Sequence, residues 1–280
     1  MIQDIGEHTF DNQYHPCPPD RESYALYYED HAALVRKYPD RIEFPKFRDI
    51  ERLNEDIYED AVYLFSIDGE RYYLVEEINR ERQSHFTMEN TEIFRYAEPQ
   101  YLAFAGITGY QLHNWYQSRR FCGKCGRRMK KDSKERMLYC ESCHNMEFPK
   151  ICPAVIIGVT DGDKILMSKY AGRTYKKYAL LAGFTEIGET LEETVQREVM
   201  EEVGLKVKNI RYYKSQPWSF SGTLLFGFFC DVDGDDTLTI DREELSVAQW
   251  FERDKIIGQD TDSSLTNEMM IVFAAGNEPK

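Results

Sequence analysis

Apolar residues run almost without interruption from Ala154 to Thr160 and resume from Ile165 to Met167, on either side of an Asp-Gly pair at 161–162. Short apolar runs bounded by turn residues predict buried strands, so AVIIGVTDGDKILMSKY (154–170) reads as strand, Asp-Gly turn, strand. ALLAGFTEIGE (179–189) reads as a strand entering a glycine-containing loop. The period then changes. TLEETVQREVMEEVG (190–204) is a helix: Thr190 and Glu193 form a capping-box pair, and Gly204 suits the C-terminal cap. NIRYYKSQ, TLLFGFFCDV and VAQWFE follow as further strands. The order β-β-β-α-β-β-β implies a mixed α/β unit with the acidic helix packed on a sheet.

The helix itself poses a problem. Glu198, Glu201 and Glu202 fall within an arc of about 100° on one face, and Leu191 and Val195 project into the same arc. Like charges one turn apart destabilise a helix by a few tenths of a kcal/mol per pair. Something has to neutralise them.

The first hundred residues are rich in tyrosine and charge. AVYLFSIDGERYYLVEE (61–77) predicts a hairpin around Asp68-Gly69, and YLAFAGITGYQLHNWYQS (101–118) predicts a helix. A small α+β domain over 1–117 is expected, followed by a cysteine-rich segment over 118–150 and the mixed α/β unit over 151–280.

Charge changes the picture next. Thirty-five basic against 49 acidic side chains leave −14 over 280 residues, which excludes a global basic field for nucleic acid. An acidic protein can still handle an anionic substrate if cations stand between them. The longest apolar runs, such as LLFGFFC (224–230), fall far short of the ~18 residues a spanning helix needs. The first residues, MIQDIGEHTF, lack a basic region followed by an apolar one, so a cytoplasmic protein is expected. Seven cysteines in such a compartment are not read first as disulfides.

Four of those cysteines have metal-ligand spacing. CGKC (122–125) and CESC (140–143) are two knuckles fourteen residues apart. Cys122, Cys125, Cys140 and Cys143 can supply four thiolates to one tetrahedral Zn²⁺, a structural site with no open position for water. Cys17, Cys152 and Cys230 are expected in loops or core. The ribbon loop RRMKKDSKER (127–136) is basic and reads either as a phosphate contact or as a solvated hairpin tip.

Gly183, Glu189, Arg197, Glu198, Val199, Glu201, Glu202, Gly204 and Leu205 stand in the spacing G-x5-E-x7-R-E-V-x-E-E-x-G-L, which is that of the Nudix box. The chain resembles the Nudix hydrolases. The resemblance implies an α/β/α sandwich around a mixed sheet. It also answers the problem of the helix, because crowded carboxylates serve hard cations such as Mg²⁺ or Mn²⁺. By the same resemblance Glu198 and Glu202 ligate the metal, Glu202 is the leading candidate for the catalytic role, and Glu201 acts as a ligand or through water. Arg197 orients the carboxylates with Glu189 as its partner. The backbone carbonyl of Ala182 and the carboxylate of Glu244 complete the expected metal contacts.

KSQPWSFSGTLLFG (214–227) is similar to the SQPWPFPxS signature of the NADH pyrophosphatase (NudC) branch, and a zinc ribbon just upstream of a Nudix domain is that branch's other hallmark. Ser219 and Ser221 stand where prolines are usual, and Thr223 where serine is. The resemblance implies hydrolysis of NAD(H) to NMN(H) and AMP, removal of NAD caps from RNA 5′ ends, and a homodimer. It places Gln216, Pro217, Trp218, Ser219, Phe220, Ser221, Gly222, Thr223, Phe184, Phe148 and Glu135 at the substrate. ADP-ribose, FAD or a dinucleoside polyphosphate as substrate, and a non-catalytic binding module, remain the alternatives at this point.

Overall fold

A computed structural model describes residues 1–53, 56–79, 85–172, 176–258 and 263–280. The chain forms two compact units: Ile2–Lys150 with Ser219–Ser221, and Ile151–Trp218 with Gly222–Lys280 and Met1.

The second unit holds the Nudix-like pattern. Its strands are β1 (Cys152–Asp161), β2 (Lys164–Tyr170) and β3 (Leu181–Phe184), then helix α1 (Leu191–Val203), then β4 (Val207–Trp218), β5 (Thr223–Val232) and β6 (Leu245–Glu252), then helix α2 (Leu265–Ala274). Among the described residues these strands make one six-stranded sheet in the order β4-β5-β1-β2-β6, with β3 also on β1. β1 runs parallel to β5 and antiparallel to β2 and β3. Only its far end pairs with β2, at Thr160 and Asp161, which leaves Ala154–Ile157 free to pair with β3.

Period-two alternation along β1 sends its side chains to opposite faces. Val155, Ile157 and Val159 pack with Val195, Val199 and Val203 of α1. Ile156 packs on the other side with Leu265, Met269, Met270 and Phe273 of α2. The sandwich is therefore α/β/α, as expected. The strands and α1 also lie where the pattern places them. The turn between β1 and β2 is offset: Asp161 pairs with Lys164, so Gly162 and Asp163 form its centre, and Gly162 takes φ +58°.

The pattern as read above does not assign α2. Its signals are nevertheless present. Ser264 caps Asn267 N–H, and Leu265, Met269 and Phe273 recur at four-residue spacing. Strand β4 ties this helix down through its side chains. Tyr213 Oη donates to Glu268 Oε1 at 2.7 Å and Lys214 Nζ donates to the same oxygen at 2.6 Å.

In the first unit, Val62–Ile67 and Glu70–Leu74 form the expected hairpin, with Asp68 and Gly69 both at positive φ (53° and 79°). Such a two-residue turn matches the twist of its strands. Tyr24–Leu26 adds in parallel to Glu70–Leu74, and a second small sheet is built on Ala32–Lys37. The helix Gln100–Ser118 lies where expected. The ribbon strands Lys130–Lys131, Leu138–Tyr139 and Met146–Glu147 follow it. Cys122, Met129, Leu138 and Cys140 join the same apolar cluster as Leu112, Trp115 and Tyr116, so the ribbon shares a core with this helix. Among the described residues no helix is long and apolar enough to cross a membrane.

Burial raises the Glu268 carboxyl pKa, but the Lys214 and Tyr213 hydrogen bonds outweigh it and the net shift is downward. A depressed folded pKa contributes stability above the unfolded value of about 4.3 and loses it as pH falls through the folded value. Glu268→Gln is expected to cost about 1 kcal/mol at pH 7, read as a melting point roughly 2–4 °C lower. That gap should close in melts taken below about pH 4.

Candidate active site

Helix α1 starts from a complete capping box. Thr190 Oγ1 accepts from Glu193 N–H at 3.2 Å, and Glu193 Oε2 accepts from Thr190 N–H at 2.8 Å. Gly204 closes the helix at φ +72°, a conformation that costs an L side chain strain. Between these caps the apolar face meets β1, and the acidic positions meet β3 and the loop after it.

Arg197 organises that region. Its Nε and Nη2 donate to the two oxygens of Glu189 at 2.6 and 3.0 Å, a bidentate pair. Its Nη1 donates to Glu198 Oε1 at 2.8 Å and to Glu201 Oε2 at 2.9 Å. Nη2 also reaches the Phe184 carbonyl at 2.9 Å. One guanidinium thus ties the helix to the end of β3 and to the loop that connects them. Glu189 accepts in addition from Glu186 N–H at 3.1 Å, and Thr194 Oγ1 lies 3.0 Å from it. Arg197 and these donors hold the Glu189 carboxyl down at about 2. Thr194 is fully buried and occupies a variable position of the box spacing, so the motif alone gives no sign of its role.

Gly183 explains its own place in the pattern. A Cβ built on it would overlap the Glu198 carboxyl group. The strand backbone and the carboxylate are in direct contact, and only glycine permits that. Glu198 and Glu202 are both buried, at 9% and 2% exposure, whereas Glu201 stays exposed. Burial pushes the Glu198 carboxyl pKa up against the opposing pull of Arg197, and the negative charges of Glu201 and Glu244 add to the rise. Glu244 is exposed just before β6. Ala182, on β3, pairs with Ile156 of β1.

This donor set fits a hard divalent cation. It consists of carboxylate oxygens, two of them buried, with burial first and then like charge raising the proton affinity of one. A cation bound there would relieve that repulsion. The carboxylates are not drawn into a tight cluster: among the described residues, the four ribbon cysteines are the only group whose ligand atoms all lie within 4.8 Å of one another.

That cysteine group fits zinc. Cys122 Sγ lies 3.5 Å from Cys143 Sγ, and Cys125 Sγ lies 3.5 Å from Cys140 Sγ. A disulfide needs about 2.05 Å. Four sulfurs at about 2.3 Å from a tetrahedral Zn²⁺ stand roughly 3.8 Å apart. Backbone N–H groups of Cys143 and Ser142 favour the Cys140 thiolate and bring its pKa down to about 7. Of the other cysteines, Cys17 is exposed, Cys152 half-buried and Cys230 buried.

The residues expected at the substrate separate into different roles. Phe184 and Phe148 expose 58% and 53% of their surface, as stacking faces require. Pro217 is exposed and Trp218 half-buried on β4, where Trp218 pairs with Thr223 across the hairpin. Gly222 takes φ +67° in the turn, and Thr223 is buried. Gln216 is fully buried. Its Nε2 donates to the Ser263 carbonyl at 2.8 Å and its Oε1 accepts from Leu265 N–H at 2.7 Å, so the signature glutamine caps α2. Ser219, Phe220 and Ser221 group with the first unit. There Ser219 is buried, Ser221 is exposed and Phe220 packs on the apolar cluster, with the Arg95 guanidinium 4.2 Å from its ring centre. Glu135 is exposed in the ribbon turn, and its N–H donates to Asp132 at 2.9 Å. The basic ribbon tip is partly paired: Lys130 meets Glu141 and Lys131 meets Glu76, each at 2.7 Å.

Comparison with known proteins identifies two domain families in the chain. A NUDIX domain model matches residues 150–270, and an NADH pyrophosphatase zinc ribbon domain model matches 117–148. A protein of Enterobacter sp. (strain 638) called NAD-capped RNA hydrolase NudC is 43% identical over 148 residues, covering 53% of this chain and 57% of that one. Its namesake from Klebsiella pneumoniae (strain 342) is 42% identical over 149 residues, with 53% and 57% covered. One from Pasteurella multocida is 35% identical over 188 residues, covering 66% of this chain and 69% of its own. The chain thus spans little more than half the length of the first two relatives it matches.

Two outcomes follow from this geometry. Gly183→Ala should displace Glu198 and weaken Mn²⁺ binding on the order of 10-fold, measured by titration calorimetry, with zinc content unchanged. Cys140→Ser should lower the zinc measured per chain by atomic absorption and lower the melting point, since metal binding and ribbon folding are linked.

Proposed function

This chain belongs to the NudC family of Nudix hydrolases, and we propose that it hydrolyses the pyrophosphate bond of NAD(H), giving NMN(H) and AMP. The observation that carries the proposal is the complete Arg197 array, which holds Glu198 against the Gly183 backbone beside the buried Glu202 of the same helix. The same bond at the 5′ end of an NAD-capped RNA would be cut to release NMN and leave a 5′-monophosphate.

A diphosphate resists attack because its oxygens are negative. Glu198, Glu202, Glu244 and the Ala182 carbonyl would hold Mg²⁺ or Mn²⁺, which would supply charge neutralisation and a more acidic water. The protein supplies the rest. Water attacks one phosphorus, the bridging P–O bond breaks, and Glu202 takes the proton that the water loses. Arg197 holds Glu198 and Glu201 in place throughout, and Glu189 fixes Arg197. Phe184 and Trp218 offer flat faces to the planar rings of a dinucleotide. Gln216 contributes by fixing β4 and α2 and leaves substrate contact to its neighbours Pro217 and Trp218.

A homodimer and a cytoplasmic setting are part of the same reading. Phe121 and Met146 expose apolar surface on the ribbon that a second copy would cover.

With NADH and Mn²⁺ or Mg²⁺, the wild type is expected to yield AMP and NMNH on chromatography. Glu202→Gln should lower kcat by about 10²-fold or more, as loss of a general base or metal ligand does. An unaltered rate in the variant, or no AMP from the wild type, would remove the basis of the assignment.

A further inference from the structure

The last turn of any helix leaves backbone carbonyls without partners inside it, and α1 is no exception. The loop that leads to β6 takes up two of them: Val203 C=O accepts from Thr239 N–H at 2.8 Å, and Glu202 C=O accepts from Asp241 N–H at 2.9 Å. The loop lies tight against the helix end. A Cβ built on Gly204 would come within 2.8 Å of the Thr239 Cβ, and Leu238 and Ile240 pack on the same apolar cluster as Val199 and Val203.

Asp241 then turns the loop. Its C=O accepts from Leu245 N–H at 2.9 Å, and its Oδ1 accepts from Glu243 N–H at 2.8 Å. The side chain thus stands in for a backbone turn, which is the reason Asp is favoured at such positions. Leu245 is fully buried and opens β6, and Glu244 C=O accepts from Ala171 N–H at 2.7 Å just past β2. Glu244 is therefore fixed from two sides. Asp241 ties its turn to the helix, and Ala171 ties its carbonyl to the sheet. Its exposed side chain stands close enough to Glu198 for its negative charge to act there. Arg197 does not account for this placement. Its hydrogen bonds go to Glu189, Glu198, Glu201 and the Phe184 carbonyl, none of them on this loop.

We propose that Asp241 is a positioning residue for the hydrolytic site, holding the Glu244 carboxylate beside those of α1 through its N–H on the Glu202 carbonyl and its carboxylate on Glu243 N–H. This role rests on the metal-dependent reading given above. Asp241 itself touches neither cation nor substrate. Glu202 supplies its side chain to the site and its carbonyl to the anchor, so one residue sets both the helix ligand and the loop ligand. A ligand on a loose turn has to be ordered when the cation binds, and that ordering is subtracted from the affinity.

The test reads Mn²⁺ binding by titration calorimetry on the full chain with its zinc retained and no nucleotide present. Asp241→Ala should raise the dissociation constant on the order of 10-fold, the scale of losing a group that orients a metal ligand. Asp241→Asn keeps an oxygen acceptor for Glu243 N–H and should bind Mn²⁺ nearly as the wild type does. In a Glu244→Gln background Asp241→Ala should add little, because the residue through which it acts is already lost. With NADH, Asp241→Ala should need more Mn²⁺ for half-maximal rate while kcat at saturating Mn²⁺ stays close to the wild type, unlike Glu202→Gln. If Asp241→Ala does not stay folded, Asp241→Ser supplies a weaker acceptor in the same turn and should give an intermediate affinity. A turn that serves only the fold would lower the melting point and leave Mn²⁺ affinity unchanged in these variants. That result overturns the proposal, as does an undiminished effect of Asp241→Ala beside Glu244→Gln, or a wild type that binds no Mn²⁺. A wild type that binds Mn²⁺ but releases no AMP from NADH removes the proposed reaction and leaves the positioning role standing.

Discussion

One guanidinium holds the catalytic architecture together. Arg197 touches Glu189, Glu198, Glu201 and the Phe184 carbonyl at once. It therefore joins a loop, a helix and the end of a strand, three elements that the chain brings together only after β3 and α1 have docked. Its charge also makes the acidic face tolerable while the protein folds. Without a cation among them, Glu198 and Glu201 would repel across one turn. The arginine resolves that conflict inside the fold, and a divalent ion can then use the carboxylates it has lined up. Gly183 and Thr194 support this arrangement from opposite sides, one by having no side chain and the other by hydrogen-bonding Glu189.

The ribbon is a second case of a charge problem solved locally. Four thiols within 4.8 Å of one another have little reason to gather except around a metal, and the backbone N–H groups of Cys143 and Ser142 prepare one of them for ligation. The ribbon is not held by metal alone. Met129 and Leu138 enter the cluster of Leu112, Trp115 and Tyr116, so the zinc-binding segment and the preceding helix stabilise each other through one apolar core.

The SQPW segment divides its labour along a single strand. Alternation on β4 turns Gln216 inward and leaves Pro217 exposed. Gln216 supplies the donor and acceptor that the start of α2 needs. Beyond Trp218, Phe220 becomes part of another packed cluster beside Arg95. A motif that reads as one recognition element is thus partly an anchoring device. Replacement of the usual prolines by Ser219 and Ser221 falls at the tip, where Phe220 packing and the turn at Gly222 constrain the backbone.

Much of this was legible in the chain alone, because the signals are local. Period and caps located α1 to the residue at both ends, cysteine spacing located the ribbon, and the Gly183–Leu205 spacing located the acidic site. The helix α2 carries the same kind of signal in its spacing and cap, yet it matters chiefly through what it packs against. The remaining features were decided by tertiary contact. That Gly183 faces Glu198 and that Gln216 caps a helix 49 residues away both depend on which distant residues meet. Spacing along a chain sets what neighbours within a few residues can do. The burial and pairing of a polar group are settled by residues far away in sequence, and these come into contact only when the sheet and its layers have closed.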